Sequence, residues 1–257
     1  IERLLTPTIR ELFKEGINFD IICGLPGQNL NNFSSTVQKI IDFNPDRICL
    51  NYMHMSPKFH PHQLKMPKDL IPGEELRKEL FTMAKETLEK NDYVRAGYDH
   101  FIKKTDKLSS ELESQTVAWN RLGIVTGNYE NIIGAGVSTT CKFNGKFYYQ
   151  NFYENTPYEK SLDNNELPIA SHHLMDDDDL IREIIIQNLR TYFYLDFKDI
   201  NEKFNIDFKK YFETNLEKIK IFSENDLIEL NDSEIKINDS GYQFANLIAS
   251  YFDKYQN

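Results

Sequence analysis

The chain has 257 residues, of which 40% are hydrophobic and 13% aromatic, so it can bury one large core or two smaller ones and is not expected to be disordered. Its 40 acidic and 30 basic residues give a formal net charge of -10. That charge argues against nucleic acid or an anionic membrane as the main partner, because both attract a surplus of Lys and Arg. No run of about 18 apolar residues is present, so no segment is expected to span a bilayer.

The start of the chain and its cysteines bear on where the protein works. It begins at Ile1 without an initiator Met or a signal-peptide pattern, and we interpret it as a processed chain or a fragment. The three cysteines, Cys23, Cys49 and Cys141, are far apart and odd in number. This usage favours a reducing cytosol over a disulfide framework, and the cysteines form no CxxC pair.

Helical patterns and short apolar runs alternate over the first hundred residues. A helical pattern opens at Ile1 and continues to residue 14, and the apolar run 17–23 predicts a strand that ends at the turn block Gly-Leu-Pro-Gly of 24–27. Further helices are predicted over 30–43 and 72–89, and further strands over 47–52 and 93–98. This order is typical of βαβ units, whose right-handed crossovers make the strands parallel. Three strands are too few for a closed barrel, so we expect earlier strands to belong to a missing N-terminal part.

The second half of the chain changes character. Residues 105–171 are rich in Gly, Asn and Tyr and are predicted to form loops with a few short strands. Helices are then predicted over 176–192, 208–219 and 241–255. Between the last two, the runs 227–230 and 234–237 flank an Asn-Asp turn and predict two paired strands. Helices around such a pair indicate a winged-helix-like unit.

Polar residues at the carboxyl ends of the predicted strands are the first candidates for a site, because ligands bind there in parallel α/β folds. Asp20 is an acid within an apolar strand. Burial of a carboxylate requires a partner, which is either backbone donors or a ligand that offers a ribose hydroxyl or an amine. Both alternatives remain open for Asp20 from the sequence.

Two further clusters follow the next strands. Residues 51–54 bring together an amide, a phenol, a thioether and an imidazole, and residues 97–100 place Asp99 beside His100. A structural His is more common than a chemical one, but the position at a strand end favours a role at a site. Since neighbours on an extended chain point to opposite faces, we expect Asp99 and His100 to lie on opposite faces and not to form a catalytic couple with each other.

Three other features have structural interpretations that are more common than functional ones. The Gly-x-Gly of 134–136, followed by Ser138, is expected to form a bulge or tight turn, although it could admit a ligand close to the backbone. The acidic run 176–179 precedes a helix and is expected to favour its positive N-terminal end rather than bind a metal. The aromatic run 147–158 is expected to pack under a loop, with stacking on a flat ligand as the alternative.

Several of these blocks occur in the order that characterises one enzyme family. They are the Asp-Ile-Ile-Cys-Gly-Leu-Pro-Gly-Gln of 20–28, the Asn-Pro-Asp-Arg of 44–47, the Asn-Tyr-Met-His of 51–54, the Gly-Tyr-Asp-His-Phe of 97–101 and the Gly-Ala-Gly-Val-Ser of 134–138. Along essentially its whole length the chain resembles the oxygen-independent coproporphyrinogen III oxidases, also called coproporphyrinogen dehydrogenases, which are radical S-adenosylmethionine (SAM) enzymes. The Asp-His-Phe of 99–101, with Lys104 and Asp106, resembles this family more than the related haem chaperones.

The resemblance implies an α/β fold with three parts. Residues 1–105 would form the later strands and helices of an open (β/α) radical SAM barrel. Residues 106–170 would form a loop-rich connecting segment that completes the active site. Residues 171–257 would form the mostly helical, winged-helix-like C-terminal domain of the family.

The implied activity is an oxidoreductase step of porphyrin and haem biosynthesis in the cytoplasm. Two propionate side chains of coproporphyrinogen III are oxidatively decarboxylated to vinyl groups, giving protoporphyrinogen IX. A reduced [4Fe-4S] cluster cleaves SAM to a radical that takes hydrogen from the propionate, and the family binds two SAM molecules. The implied partners are the tetrapyrrole substrate and an electron-donor protein, with the enzyme as a monomer.

By motif position, the resemblance assigns three residues to SAM. Asp20 corresponds to a SAM contact, Met53 to a backbone contact at a strand end, and Thr140 to a contact just after the Gly-Val-Ser turn. Met53 and Thr140 replace other residue types of the family, so their main-chain contacts are expected to persist better than side-chain contacts. No residue of the chain is assigned as catalytic or as a metal ligand.

The chain departs from the family in two places. The cluster motif CxxxCxxC has no counterpart, and the scattered cysteines cannot replace it, since the thiolates must surround one cluster. We therefore expect the cluster to bind in the missing N-terminal part and this chain alone to be inactive.

The family pattern Arg-Asn-Phe-x-Gly-Tyr-x-Thr aligns with 119–126, where Trp119 and Ile124 replace the Arg and the Tyr. Loss of that cation could change recognition of a propionate. Two alternatives stay open: a divergent radical SAM enzyme that acts on haem or another tetrapyrrole, and a haem-binding carrier without oxidase activity.

Overall fold

A computed structural model describes residues 5–14, 16–58, 60–120, 123–127 and 131–256. The chain divides into two compact units, residues 1–115 and 116–257. The division predicted at residues 105 and 170 stays a prediction. Among the described residues, no helix has the length and apolar character needed to cross a membrane.

The described residues of the first unit form four α-helices and four strands. Their bounds are α1 (Pro7–Leu12), β1 (Asn18–Cys23), α2 (Leu30–Phe43), β2 (Arg47–Tyr52), α3 (Glu74–Lys90), β3 (Tyr93–Ala96), β4 (His100–Lys103) and α4 (Lys107–Glu113). Two short 3-10 helices, Pro61–Lys65 and Lys68–Leu70, precede α3. The helical pattern predicted from Ile1 is observed over α1, and residues 1–4 lie outside the described residues.

The predicted βαβ unit is present. β1 and β2 pair in parallel, and α2 connects them. Asn29 begins α2 by accepting a hydrogen bond from the Asn32 backbone, while the Asn32 side chain accepts one from the Asn29 backbone, so two backbone donors that a helix start leaves free are satisfied. Asn44 ends the helix in the left-handed conformation that Asn tolerates better than most residues.

The third predicted strand has a partner that was not predicted. Residues 93–103 form a hairpin, and β4 lies between β2 and β3 and runs antiparallel to both, so the sheet order is β1-β2-β4-β3. Gly97, at φ +66°, begins the turn that reverses the chain. The strand predicted over 93–98 is thus β3 and the start of the turn after it, and it runs in the same direction as β2, as predicted; β4, which lies between β2 and β3, was not predicted.

The core of the first unit lies on one face of this sheet. Ile21 and Cys23 of β1 are buried with Ile48 and Leu50 of β2, and they form a cluster with side chains from the helices. The helical members of that cluster are Phe33, Val37, Leu80, Phe81, Ala84 and Leu88. The alternate positions of β1 are exposed. We call the side of β1, β2 and β4 that carries Asp20, Cys49 and His100 the open face.

The first part of the second unit is more regular than predicted. β5 (Val117–Asn120) pairs with β6 (Gly123–Thr126), and β7 (Thr140–Phe143), β8 (Phe147–Asn151) and β9 (Ile169–Leu174) form an antiparallel sheet. The helix α5 (Asn155–Asp163) joins β8 to β9. The aromatic run 147–158, predicted to pack under a loop, instead forms strand β8 and the start of α5. In β8 its alternate residues face the two sides of the sheet.

The last part of the second unit confirms the winged-helix-like arrangement. Its elements are α6 (Asp177–Thr191), β10 (Tyr194–Asp196), α7 (Phe197–Phe204), α8 (Phe208–Tyr211), α9 (Glu213–Glu224), β11 (Ile228–Leu230), β12 (Glu234–Ile237) and α10 (Ala245–Ser250). The three strands pair antiparallel in the order β10-β12-β11. The helix predicted over 208–219 is divided at Phe212, and α10 is shorter than the predicted 241–255. Buried Phe208, Phe212 and Phe252 pack their rings together in the core.

Candidate functional site

Three polar side chains form a row across the open face of the first unit. Asp20 of β1 is the register partner of Cys49 in β2, and Cys49 is the register partner of His100 in β4. Register partners point to the same side of a sheet, so the three side chains share one face. This row, Asp20-Cys49-His100, is the candidate site.

Asp20 lies at the exposed end of the row. Its Oδ1 accepts a hydrogen bond of 2.8 Å from Nδ2 of Asn18, two positions earlier on the same strand face. The carboxylate is thus neither deeply buried nor held by backbone donors, which was one of the two alternatives for it. Its other oxygen faces an exposed side of the sheet, where it can accept a hydrogen bond from a ligand.

Cys49 occupies the centre of the row as a neutral thiol. The residue is buried, and Nδ2 of Asn51 donates to its Sγ at 3.2 Å. Burial, together with the negative charges of Asp99 and Asp20, raises the pKa of the Cys49 thiol to about 12. The environment at the centre of the row therefore disfavours an additional negative charge.

Asp99 and His100 are hydrogen-bonded to each other, contrary to expectation. Oδ1 of Asp99 and Nδ1 of His100 are 2.5 Å apart, and both residues are more than nine-tenths buried. The alternation argument fails because Asp99 belongs to the turn between β3 and β4 rather than to extended strand. The carbonyl of Asp99 also accepts from the backbone N–H of Leu50 at 2.7 Å, which fixes this turn against β2.

The side chain of Gln28 makes three hydrogen bonds to the backbone at and after the end of β1. Oε1 of Gln28 accepts from the backbone N–H groups of Gly24 and Leu25, at 2.6 and 3.0 Å, and its Nε2 donates to the carbonyl of Ile22 at 2.9 Å. Gly24 has φ +90°, and a side chain there would come within 2.9 Å of Cδ of Arg77. The Gly-Leu-Pro-Gly block thus forms a rigid turn at the carboxyl end of β1.

Met53 lies directly after β2, beside this turn. The residue is buried, and its backbone N–H donates to the carbonyl of Cys23 at 2.7 Å. A main-chain contact between Met53 and a ligand would therefore use its carbonyl group. The neighbouring His54 is exposed.

Thr140 belongs to the second unit, where it begins β7 opposite Gln150. The preceding turn is fixed by side chains: Tyr158 Oη accepts from the N–H of Gly136 at 3.0 Å, and Nδ2 of Asn151 donates to the carbonyl of Gly136 at 2.9 Å. The Gly-x-Gly segment is thus part of a tight turn, as the more common interpretation had it. The structure brings Asp20, Cys49 and His100 together within one unit, while Thr140 is placed in the other unit.

The acidic run 176–179 begins helix α6, as predicted. Asp176 accepts from the N–H of Asp179, and Asp179 accepts from the N–H of Asp176, which is a capping box. The ammonium of Lys254 lies 2.8 to 3.1 Å from carboxylate oxygens of Asp176, Asp178 and Asp179. Burial raises the pKa of Asp179, but hydrogen bonds from Lys254 and His173 outweigh it and lower the pKa below its usual range. A side-chain cation thus sits where a metal would have to bind.

The three cysteines do not fit an iron-sulfur cluster. All are free and buried, and Cys141 is in the second unit. Burial raises the pKa of Cys23 to about 11 and that of Cys49 to about 12, whereas cluster ligands are thiolates that surround one site.

The structure describes only part of the segment 119–126, in which the chain departs from the family pattern. Trp119 packs under the guanidinium of Arg190, whose Cζ is 3.6 Å from the ring centroid, and Ile124 is buried. Residues 121 and 122 and the side chain of Asn120 lie outside the described residues.

Comparison with known proteins now identifies what the chain is similar to. The family described as HemN C-terminal domain matches residues 175–244. The oxygen-independent coproporphyrinogen III oxidase of Pseudomonas aeruginosa is 34% identical over 254 residues, which are 98% of this chain and 55% of the relative. That of Helicobacter pylori is 32% identical over 242 residues, 94% of this chain and 52% of the relative. The chain is similar to the oxygen-independent coproporphyrinogen III oxidases along nearly its whole length.

A solved structure supports the same conclusion for the fold. It is the structure of the coproporphyrinogen III oxidase HemN from Escherichia coli, a radical SAM enzyme, and it superposes with a TM-score of 0.91 at 25% sequence identity. The match covers 98% of this chain and 58% of that structure. The predicted resemblance and fold class are thereby confirmed. The chain spans about half the length of the curated relatives named above.

Two residues at the site have no site role in the sequence-based predictions. Cys49 is in the row through strand pairing, and Asn18 lies beside the row because it shares a strand face with Asp20 and donates to it. The sequence does contain a sign that these residues lie at a site. On the predicted strands, Asn18 is two positions from Asp20 and Cys49 is two positions from Asn51, so each shares a strand face with another polar residue. Recognising it requires the pairing register, which the local pattern does not contain.

Proposed function

We propose that the chain is part of an oxygen-independent coproporphyrinogen III oxidase. The reaction is the oxidative decarboxylation of two propionates of coproporphyrinogen III to vinyl groups, giving protoporphyrinogen IX. The observation that carries the proposal is similarity to these enzymes over 98% of the chain, together with the TM-score of 0.91 to one of them. A cytoplasmic monomer served by an electron-donor protein is part of the same proposal.

The residues of the first unit suit the binding of SAM. Asp20 offers a carboxylate oxygen on the exposed side of β1, where it can accept from a ribose hydroxyl or an amine. The rigid turn at Gly24 and the carbonyl of Met53 lie at the carboxyl ends of β1 and β2, the usual place for a ligand in a parallel sheet. When bound, SAM supplies the radical that takes hydrogen from the substrate. Asp20 would orient the bound SAM, and the turn at Gly24 would limit where SAM can lie.

Thr140 is proposed as a further SAM contact. The turn that precedes it is held by Tyr158 and Asn151, so its backbone is fixed before any ligand arrives. A preformed backbone saves the entropy that a mobile loop would lose on binding. Two SAM molecules per enzyme remain part of the proposal.

The [4Fe-4S] cluster has no fitting ligands among the three cysteines of this chain, as their separation, burial and raised thiol pKa values indicate. We propose that residues outside this chain hold it. No step of the reaction is assigned here to Cys23, Cys49 or Cys141.

The test is an anaerobic assay of the complete gene product with SAM, a reductant and coproporphyrinogen III. Formation of the divinyl product protoporphyrinogen IX is the expected result. Haem binding without turnover would contradict the proposal in favour of a carrier. Methylated or ring-opened haem as the product would contradict it in favour of a divergent enzyme.

A further inference from the structure

The segment that follows β2 holds a large share of the imidazole and thioether groups of the chain. Three of the six His residues and three of the five Met residues lie between positions 53 and 66. They are Met53, His54, Met55, His60, His62 and Met66. Such groups are ligands of transition metals rather than of Mg²⁺ or Ca²⁺. The proposed reaction assigns no role to His60 or His62, so their presence in this segment calls for a separate explanation.

The first part of this segment is a loop whose two ends are joined by hydrogen bonds. Gln63 is buried, its Oε1 accepts from the backbone N–H of Ser56 at 2.7 Å, and its Nε2 donates to the carbonyl of His54 at 3.0 Å. The backbone N–H of His60 donates to the carbonyl of Ser56 at 2.8 Å. A loop that is closed in this way loses less entropy on binding a ligand than a mobile loop does.

His60 and His62 lie side by side on this loop. His62 belongs to the 3-10 helix Pro61–Lys65, and His60 immediately precedes that helix. Their ring centroids are 5.8 Å apart, with an angle of 56° between the ring planes. Both residues are exposed, and no ring nitrogen of either one makes a hydrogen bond or an ion pair in the part of the chain that the structure describes. The lone pairs of the two rings are therefore available to a metal ion.

The spacing of the two rings suits a shared ion. With a Zn–N bond of about 2.0–2.1 Å, a ligating imidazole places its ring centroid roughly 3.2 Å from the ion. Two imidazoles at the tetrahedral angle then have their centroids about 5 Å apart. The observed separation of 5.8 Å is close to this value. Rotation of two exposed side chains is thus sufficient to place one nitrogen of each ring on the same ion.

The protein supplies two ligands at this place. No third His, Cys, Asp or Glu completes a ligand set with the pair among the residues whose positions the structure describes. Water therefore fills the other coordination positions, as it does at open zinc sites. Two neutral imidazoles favour Zn²⁺ and its neighbours in the transition series, whereas Mg²⁺ requires oxygen ligands.

We propose that His60 and His62 together bind one divalent transition-metal ion of the class that prefers imidazole, with Zn²⁺ as its representative. The bound ion links the residue before the 3-10 helix to a residue within it, and so stabilises the loop that follows β2. This site uses none of the residues of the row Asp20-Cys49-His100. The inference goes beyond the proposed function and does not depend on it.

The test is anaerobic calorimetry of Zn²⁺ binding to the complete gene product in wild type, His60→Ala, His62→Ala and His54→Ala. His54→Ala is the matched control, because it removes an exposed imidazole of the same loop and leaves the pair intact. We expect wild type and the control to share one Zn²⁺-binding event that is weakened tenfold or more in His60→Ala and in His62→Ala. Mg²⁺ at the same concentration is expected to bind equally in all four proteins.

Thermal unfolding separates loss of the ligands from damage to the fold. Without added metal, all four proteins should melt at the same temperature, since the replaced side chains are exposed. Zn²⁺ should raise the melting temperature of wild type and His54→Ala above that of the two pair variants.

Three outcomes would overturn the inference. Equal Zn²⁺ binding in wild type, His60→Ala and His62→Ala would mean that the pair is only solvated. A loss in His54→Ala as large as the loss in His60→Ala would mean that the pair is not the ligand set. Binding of Mg²⁺ that is lost together with the pair would exclude the proposed class of metal.

Discussion

Two acidic regions of this chain differ in whether a side-chain cation accompanies their carboxylates. The run 176–179 in the second unit surrounds the ammonium of Lys254 and begins helix α6. In the first unit, exposed Asp20 lies on the open face and buried Asp99 lies in the turn before β4, and no Lys or Arg is paired with either of them among the described residues. Acids that already have a cation of their own stabilise the fold. Acids on an exposed sheet face without one are where a charged ligand is expected.

The largest expected effect is the loss of Asp179. Asp179 is 6% exposed and accepts hydrogen bonds from Lys254, His173 and Tyr255. Asp179→Ala is expected to lower the free energy of unfolding by about 2–3 kcal/mol, because it removes a buried carboxylate that accepts charge-assisted hydrogen bonds. Chemical denaturation measures this. The affinity for SAM should stay unchanged, and a tenfold loss of affinity would contradict the structural role of the run.

Asp20→Ala is expected to weaken SAM binding and to leave the stability of the fold nearly unchanged, the converse of Asp179→Ala. Its loss should weaken SAM binding by roughly 1–3 kcal/mol, the value of a hydrogen bond to a charged group, and leave the free energy of unfolding within about 0.5 kcal/mol of wild type. Calorimetry measures the first and denaturation the second. Asn18→Ala serves as the matched control, since it removes the one described partner of Asp20 but keeps the carboxylate. Unchanged binding in Asp20→Ala would remove Asp20 from the site.

Acid should destabilise the protein through the same run. The pKa values of Asp178 and Asp179 are lowered from an ordinary value of 3.8: burial raises each of them, but hydrogen bonds from Arg182 and Lys254 to Asp178 and from Lys254 and His173 to Asp179 outweigh it. Lowered folded-state values mean that their stabilisation is fully present above about pH 4 and is lost as the pH falls through the folded pKa values. Unfolding followed from pH 6 to pH 2 measures this. Asp179→Ala should show a smaller loss over that range, and an equal loss would assign the acid sensitivity to other groups.

The smallest effect concerns the start of α6 alone. Asp176→Ala removes the side chain that accepts from the N–H of Asp179 and should cost about 1 kcal/mol. Asp176→Ser keeps an N-cap acceptor and should recover most of that loss. Thermal unfolding of the two variants measures the difference. If the Ser variant is as unstable as the Ala variant, the ion pair with Lys254 rather than the cap is the main contribution of Asp176.

Much of the fold follows from the sequence where elements are long and regular. The helix of 30–43 and the strands that flank it have clear apolar patterns, and α6 begins at the acidic run that was predicted to precede a helix. The strands between 117 and 174 have four to six residues and are interrupted by Gly and Asn turns, so they resemble loops. The β3-β4 hairpin was missed because the turn at Gly97 lies inside what looks like one continuous strand.

The candidate site was predictable only as single residues. Asp20 is conspicuous as an acid in an apolar strand, and the match to family motifs drew attention to the segment around His100. Their placement in one row depends on the pairing of β1 with β2 and of β2 with β4, which is a long-range property. The contact between Asp99 and His100 depends on a turn conformation that alternation cannot represent.

The contrast between the two acidic regions is tested most directly by the rise in melting temperature that saturating SAM produces in the complete gene product. The measurement compares wild type, Asp20→Ala and Asp179→Ala under anaerobic conditions. We predict that Asp179→Ala melts at a lower temperature but keeps the full SAM-induced rise, whereas Asp20→Ala melts like wild type and loses most of the rise. A full rise in Asp20→Ala together with a lost rise in Asp179→Ala would contradict this account of the molecule.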